Sequence, residues 1–376
     1  MLQHIHYMVS SIGELPFKAV FHLISLVILC KIEGSLSNIY HHSSVAMKLK
    51  LFFVLISGAM LSTSIYAQDK LNIKFGNVSP KDFETKVYSI DSNANAVVLA
   101  DVGSSTIEGN LKGGFSIAYK RYKRVHILNK NGYDVADVSV HLFSEGEGEE
   151  VLDKLKAVTY NLENGKIVES KLDVKANLFK NKLDKYRVEK KFTFPNVKEG
   201  SIIEFEYTVI SNYLSNLRPW SFQGEYPVMW SEYNLTLPEF LGYVFLTQGY
   251  KKYDIHTTED RIESFRVIDN RGTGSSEQFN FNANVTDHRW VIKKAPALKA
   301  ENYTSTIENH LAKIEFQLAE IRRPLNYERR MGTWEKLADD LLKREDFGVQ
   351  ITKDNGWLKE IIAPLRKEGE SKMSVS

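Results

Sequence analysis

The sequence predicts a mainly β protein: an antiparallel β-sandwich-like domain followed by a short C-terminal helical connector. Three observations carry this expectation. From about residue 85 to 294, short runs alternate apolar with polar residues and are broken by turn-forming residues. Aromatics reach 11%, with 18 Tyr and 20 Phe, and such side chains suit a pleated, half-buried surface. Two Asn-Gly pairs, Asn131-Gly132 and Asn164-Gly165, lie between alternating runs, where positive φ is tolerated and a type I′ hairpin turn is favoured.

Taken in order, Phe115 to Leu128 and Tyr133 to Phe143 read as one hairpin closed at Asn131-Gly132. That pairing gathers Val125, Ile127, Ala136, Val138, Val140 and Leu142 on one face. Lys120, Tyr122, Arg124, His126, Asp137, Ser139 and His141 fall on the other. A second hairpin, Ala157 to Leu172, places Leu162 opposite Ile167. Further strands are expected at Tyr186–Phe194, Ser201–Ile210, Trp220–Tyr226, Ser231–Leu237, Tyr243–Gln248, Arg261–Ile268 and Asp287–Lys293. Many strands with little helix between them predict two sheets packed face to face. After Pro296 the pattern changes. Thr333 caps a helix carrying Trp334, Leu337 and Leu341 on one face, and Trp357–Ile362 forms another, closed by Pro364.

The N-terminus has its own logic. From Met47 the chain runs through two lysines, an apolar stretch from Leu49 to Leu61 and a small polar segment to Ala67. This is the tripartite pattern of a signal peptide cut after Ala67, and the apolar run is short for a membrane span. The expected organisation is a leader of unassigned status at 1–46, a signal peptide at 47–67 and a β domain at 68–300. A connector with short helices follows at 301–365, then a truncated linker at 366–376. Export to the periplasm or cell envelope of a Gram-negative bacterium follows from this reading.

Charge and cysteine content exclude several functions. The leader and signal hold Lys18, Lys31, Lys48 and Lys50 against Glu14 and Glu33, leaving 45 basic and 45 acidic residues in the remainder. A balanced chain lacks the clustered basic face that nucleic acid requires, so no nucleic-acid partner is expected. Cys30, in the leader, is the single cysteine. No Cys-based zinc cluster and no thiol nucleophile paired with a histidine can then form in the folded region. Five of the ten histidines also lie in the leader. In the proposed register His126 and His141 are about 13 Å apart, too far to share a metal, and both read as solvated surface residues. The acidic run Glu145, Glu147, Glu149, Glu150 lacks the ligand order of a calcium loop and reads as a solvated loop. No cofactor or metal site is expected.

Several blocks carry a resemblance: KRYKRVHILNKNGYDVADVSV, VKEGSIIEFEYTVIS, RPWSFQGEYPVMWSEYNLTLPE, APALKAENY and FQLAEI. In this order they resemble the bacterial domain of unknown function three-eight-five-seven, which typically precedes a transglutaminase-like domain in exported proteins. The resemblance implies a β-sandwich-like accessory domain, usually followed by a Cys-His-Asp catalytic module, with GTWEKLADDLLKREDFG as the connector. The sequence departs from that pattern by ending at Ser376 before such a module could begin, so no catalytic residue is carried over and the chain is expected not to be an enzyme. The aromatic-rich segment suggests a binding surface of Arg218, Trp220, Tyr226, Trp230 and Tyr233 for a protein, peptide or glycan partner in the envelope. Membrane contact is expected only through the signal segment. The alternatives are a stand-alone carboxylate-based hydrolase using Glu225 and Glu232, or a structural envelope component.

Overall fold

In the computed structural model, the residues described are 70–368, apart from 146–147, 270–276, 304, 346 and 354–355. Residues 1–69, which include Cys30 and the expected signal peptide, and the chain beyond Glu368 lie outside them. The first strands are β1 (Ala96–Gly109), β2 (Phe115–Ile127), β3 (Asp137–Glu145), β4 (Gly148–Glu149), β5 (Val151–Glu163) and β6 (Lys166–Lys171). Next come β7 (Phe179–Lys182), β8 (Arg187–Thr193), β9 (Ile202–Ser211), β10 (Trp220–Ser221) and β11 (Val228–Pro238). The last are β12 (Leu241–Gln248), β13 (Ile255–Asp269), β14 (Glu277–Ala295), β15 (Lys313–Ile321) and β16 (Glu328–Arg329).

The class is mainly β, as expected, with one large sheet and two small ones. The large sheet has eight strands in the order β13-β14-β11-β1-β2-β9-β5-β6. All its neighbours are antiparallel except β1 and β11, which run parallel. One small sheet joins β10, β15 and β12, with β16 on β15, and the other has the order β4-β3-β8-β7.

Cross-strand register identifies the inner face. Tyr207, Arg121, Gly103, Tyr233 and Trp290 form one row, and Phe205, Lys123, Asp101, Ser231 and Ile292 form the next. Residues directly opposite one another share a face, so both rows point the same way. At one end of these rows, Phe205 packs edge-on against Phe192 of β8. At the other, Phe316 of β15 packs on Tyr233 and Trp290. Both small sheets therefore cover the same face, and residues of all three sheets form one apolar core.

The hairpin at Asn164-Gly165 forms as expected. Asn164 and Gly165 have φ of 50° and 76°, and Leu162 stands opposite Ile167. The hairpin at Asn131-Gly132 does not form. Residues Lys130–Ala136 make a 3-10 helix capped by the Asn129 side chain, β2 pairs with β1 and β9, and β3 pairs with β8 and β4. Gly132 is needed there for close approach: a Cβ would stand 2.5 Å from the Asn95 carbonyl oxygen. The chain thus crosses from the large sheet to a small one, and the residues expected on one hairpin face serve two sheets facing a common core.

The domain boundary expected at residue 300 also moves. Within the stretch assigned to the connector, β15 pairs with β12 along eight residue positions and buries Ile314, Phe316 and Leu318. The β domain therefore extends through β16. Helices follow: α2 of the chain, counting Val174–Asn177 as α1, spans Trp334–Lys343, and Thr333 accepts a hydrogen bond from the Lys336 amide as its cap. Then α3 covers Gly348–Thr352 and α4 covers Gly356–Glu368, so α4 continues past Pro364 rather than stopping there. Trp334 and Leu337 on α2 are exposed.

The outer face of the large sheet is closed by the segment from Leu71 to Asn95. Arg124 and Glu204 stand opposite each other on β2 and β9 and form a buried ion pair at 2.7 Å. The Arg124 guanidinium also donates to the carbonyls of Lys74 and Asn77. Glu204 accepts from the Gly76 amide at 2.6 Å and from the Tyr122 and Tyr160 hydroxyls. Burying two charges is costly unless their remaining hydrogen-bonding capacity is met, and here the strap supplies much of what the sheet lacks. Phe83, Tyr160 and Ile202 form a small core beside it. His126, expected at the surface, is buried with 2% exposure, shares a 2.8 Å hydrogen bond with the Tyr88 hydroxyl and meets Phe83 and Tyr88 edge-on. His141 is exposed, as expected.

Two outcomes are expected. Glu204→Gln should destabilise the protein by about 3–5 kcal/mol in urea unfolding, because it leaves Arg124 buried without a counter-charge. Arg124→Met combined with Glu204→Leu should recover only part of that loss, because it removes the unpaired charge but orphans the Gly76 amide, the Tyr122 and Tyr160 hydroxyls and the Lys74 and Asn77 carbonyls; a double variant as stable as the unaltered protein would argue against this network as a structural requirement. Burial pushes the His126 imidazole from 6.5 down to about 4, against a weaker opposing pull from Asp82. The folded state then binds fewer protons than the unfolded chain, so this contribution is complete above about pH 6.5 and is lost as pH falls towards 4. A His126→Phe variant should show a flatter fall in stability between pH 7 and 4.5, by an amount on the order of 3 kcal/mol at most.

Candidate functional site

The middle of the two inner rows is charged. Strand β2 places Tyr119, Arg121 and Lys123 inward at every second position, between the apolar residues Phe115, Ile117, Val125 and Ile127. Neighbouring β1 brings in Asp101 and Gly103. Arg121 holds Asp101 with two parallel hydrogen bonds, Nε to Oδ1 at 2.9 Å and Nη2 to Oδ2 at 2.7 Å. Lys123 Nζ approaches the same Oδ2 at 3.6 Å. The Asp101 side chain is 7% exposed, whereas Arg121 and Lys123 are 29% and 27% exposed, so the carboxylate is enclosed and its two cations reach solvent.

Aromatic side chains surround this triad. The Arg121 guanidinium lies 5.1 Å from the centroid of the Trp220 ring, a cation–π arrangement. Trp220 stacks on Tyr233 at 5.4 Å and donates from Nε1 to the Ser231 hydroxyl. Gly103 permits this packing, because a Cβ there would stand 2.4 Å from the Trp220 ring. The Tyr119 and Tyr207 rings lie 6.3 Å apart, and the Arg218 guanidinium is 5.5 Å from the Tyr119 ring. Arg218 pairs with Glu150 at 2.5 Å and donates to the His141 carbonyl.

Electrostatics follow from this geometry. Burial lowers the Arg121 pKa, but the adjacent Asp101 more than offsets it, so the guanidinium stays charged. For Lys123 burial outweighs the attraction of Asp101, and its ammonium sits below the usual lysine range. Burial raises the Tyr119 hydroxyl well above its ordinary value, so it remains a protonated donor.

The five residues expected as a surface divide between distant environments. Trp220 and Tyr233 are 2% and 0% exposed, so they pack the core and do not form a surface. Trp220 meets the charged triad through Arg121, whereas Arg218 lies over the neighbouring Tyr119 ring. Trp230 points to the opposite face of β11 from Tyr233, since an odd spacing along a strand reverses the side chain. There its Nε1 donates to Glu232, and Lys293 lies over its ring. Tyr226 donates to Asp134 at the surface end of the 3-10 helix.

Other expected features also change. Glu150, assigned to a solvated loop, is 2% exposed and accepts from Arg218 and the Phe143 amide; Gly146 and Glu147 lie outside the described residues. Glu232 accepts from Arg289, Asn234 and Trp230. Burial would raise its pKa, but these donors hold the carboxyl below its ordinary value, while Glu225 is exposed. Sequence reasoning missed Asp101, Arg121 and Lys123. The available signal was phase: extending the apolar positions Val125 and Ile127 back along β2 lands on Lys123 and Arg121, two cations where a core-facing strand should be apolar.

Elsewhere, a concavity of about 400 Å³ is lined by Gly249, Tyr250, Leu298, Lys299, Glu301 and His310, among others. At its rim, Ser305 Oγ and His310 Nε2 lie 3.0 Å apart, both exposed. Among the described residues, no cluster of His, Cys, Asp and Glu has metal-binding geometry, and no helix is long and apolar enough to cross a membrane.

Known proteins offer limited comparison. No curated protein matches the chain. Among solved structures, one from Parabacteroides distasonis, described provisionally as a protease, aligns at 12% identity and a TM-score of 0.44, covering 73% of this chain and 47% of that one. A variant of an M1 zinc metallopeptidase from Deinococcus radiodurans aligns at 8% identity and a TM-score of 0.19, covering 55% and 45%. This chain therefore spans about half the length of either structure, and neither similarity is close enough to carry an argument about function. The family comparison is more specific and takes in β2 and the strands that follow it as far as β13: residues 115–272 match the model of DUF3857, a Domain of Unknown Function of solved structure.

Proposed function

We propose that this chain is an exported, non-catalytic accessory domain of a transglutaminase-like protein, acting by binding a partner in the cell envelope. The observation that supports it best is how its buried carboxylates are used. Asp101, Glu150, Glu204 and Glu232 each accept from an arginine, namely Arg121, Arg218, Arg124 and Arg289. A carboxylate whose lone pairs are occupied by a guanidinium is poorly placed to take or give a proton during a reaction. These pairs serve packing and recognition better than acid–base chemistry. The DUF3857 match and the signal-like segment ending at Ala67 agree with an accessory role in an exported protein.

Ser305 and His310 provide the sharpest test, because they are a hydroxyl and a base within hydrogen-bonding distance. The purified chain should neither hydrolyse peptide substrates nor incorporate amines into glutamine donors. Hydrolysis that disappears in Ser305→Ala, a change at an exposed position, would overturn the non-catalytic reading. Export is tested by expressing the chain from its own start in a Gram-negative host and sequencing the N-terminus of the periplasmic protein. A mature end at Gln68 is expected; retention of the whole chain in the cytoplasm would remove the envelope assignment.

A further inference from the structure

The charged triad lacks one negative charge. Arg121 and Lys123 converge on the single carboxylate of Asp101, and Arg121 takes it with both of its aligned donors. The other arginine nearby, Arg218, is already neutralised by Glu150. The excess of one positive charge rests on Lys123, whose ammonium is 3.6 Å from an oxygen that Arg121 binds at 2.7 Å. Lys123 keeps part of its contact with solvent, and the carboxylate it approaches is shared with Arg121, so its ammonium is open to a further anion. Surface ion pairs need no such explanation, but this cluster lies on the inner face of a sheet, between two groups of core aromatics.

The geometry points to a carboxylate-binding site, at which the partly exposed Lys123 and Arg121 receive one carboxylate group of a peptide. The charge excess selects a monoanion, since a dianion would leave the site negative. Lys123 supplies point-charge attraction and rotatable donors, and Arg121 retains N–H groups beyond the two given to Asp101. The Trp220 ring backs the Arg121 guanidinium from within the core, so the two partly exposed cations, not the aromatic rings, are what the site offers a ligand. Asp101, closed off from solvent, fixes the Arg121 fork without blocking its exposed side. Two sources share this chemistry: the C-terminal carboxylate of a chain, and an Asp or Glu side chain.

This inference rests on the binding role proposed above, and the test separates the two. Calorimetric titration of the full chain would use three short peptides: one with a free C-terminus, its C-terminal amide, and an amide containing an internal Glu. Binding of the first alone identifies a C-terminal carboxylate, and binding of the first and third identifies any peptide carboxylate. Lys123→Met should weaken the binding by at least about tenfold, the loss of one charge-assisted hydrogen bond. Lys123→Arg, which keeps the charge, should retain most of it. Thermal melts of each variant establish that it is folded. Affinity unchanged in a folded Lys123→Met variant, or no binding of any of the three peptides, overturns the site assignment while leaving the accessory reading in place. Turnover of a bound peptide would instead overturn the accessory reading.

Discussion

Strand β2 carries charge on both faces although it lies in the interior of an eight-stranded sheet, and the rest of the molecule is arranged around that constraint. Its outward residues include Tyr122, Arg124 and His126, and its inward residues include Tyr119, Arg121 and Lys123. Neither face can be left to apolar packing alone, because an uncompensated charge removed from water costs several kcal/mol. Each neighbouring strand supplies one answer. From β9 comes Glu204 for the outer face, and from β1 comes Asp101 for the inner one. The two ion pairs thus bind β2 to its neighbours on opposite sides of the sheet.

The same arrangement specifies register. Sliding β2 by one residue would carry Arg124 into the core and Val125 to the strap, and it would separate both cations from their carboxylates. An apolar strand of similar length would tolerate such a slip more easily, since many hydrophobic registers bury comparable area. Buried ion pairs contribute little net stability when formed and cost much when broken, so their effect here is mainly selective. The strap extends this logic. Lys74, Gly76 and Asn77 bond the Arg124–Glu204 pair through backbone atoms, so the segment is held by main-chain geometry together with a few apolar anchors such as Phe75 and Phe83.

Much of this fold was legible in the sequence, and the exceptions have physical causes. The β class and most strands followed from alternation and turn residues. The Asn164-Gly165 hairpin was correct to the residue because a two-residue turn fixes its own register. Asn131-Gly132 failed because the dipeptide is compatible with more than one turn, and only the Asn95 backbone pressing on Gly132 shows which applies. Strand β15 carries the same alternation, with Ile314, Phe316 and Leu318 inward, so its existence was legible and was missed; what nothing local marks is its partner β12, more than 60 residues earlier. The site was less legible than the fold. Aromatic density around Arg218 suggested one surface, but it could not show that Trp220 and Tyr233 face inward while Trp230 faces outward.

What distinguishes the two faces of β2 is therefore not the kind of charge they carry but how completely each is covered. On the outer face the strap adds two carbonyls and an amide, Arg124 and Glu204 are 3% and 0% exposed in their side chains, and the polar groups are saturated from within the chain. On the inner face the two small sheets press on the aromatics at either end of the rows and leave Arg121 and Lys123 partly open between them. A sheet whose only requirement was stability would gain from closing both faces alike. An open face with one surplus cation keeps a recognition group preorganised on rigid strands, at the end of a side chain whose position Asp101 helps to fix. The asymmetry between the saturated and the unsaturated side of one strand is the structural basis of the binding site proposed for the inner face.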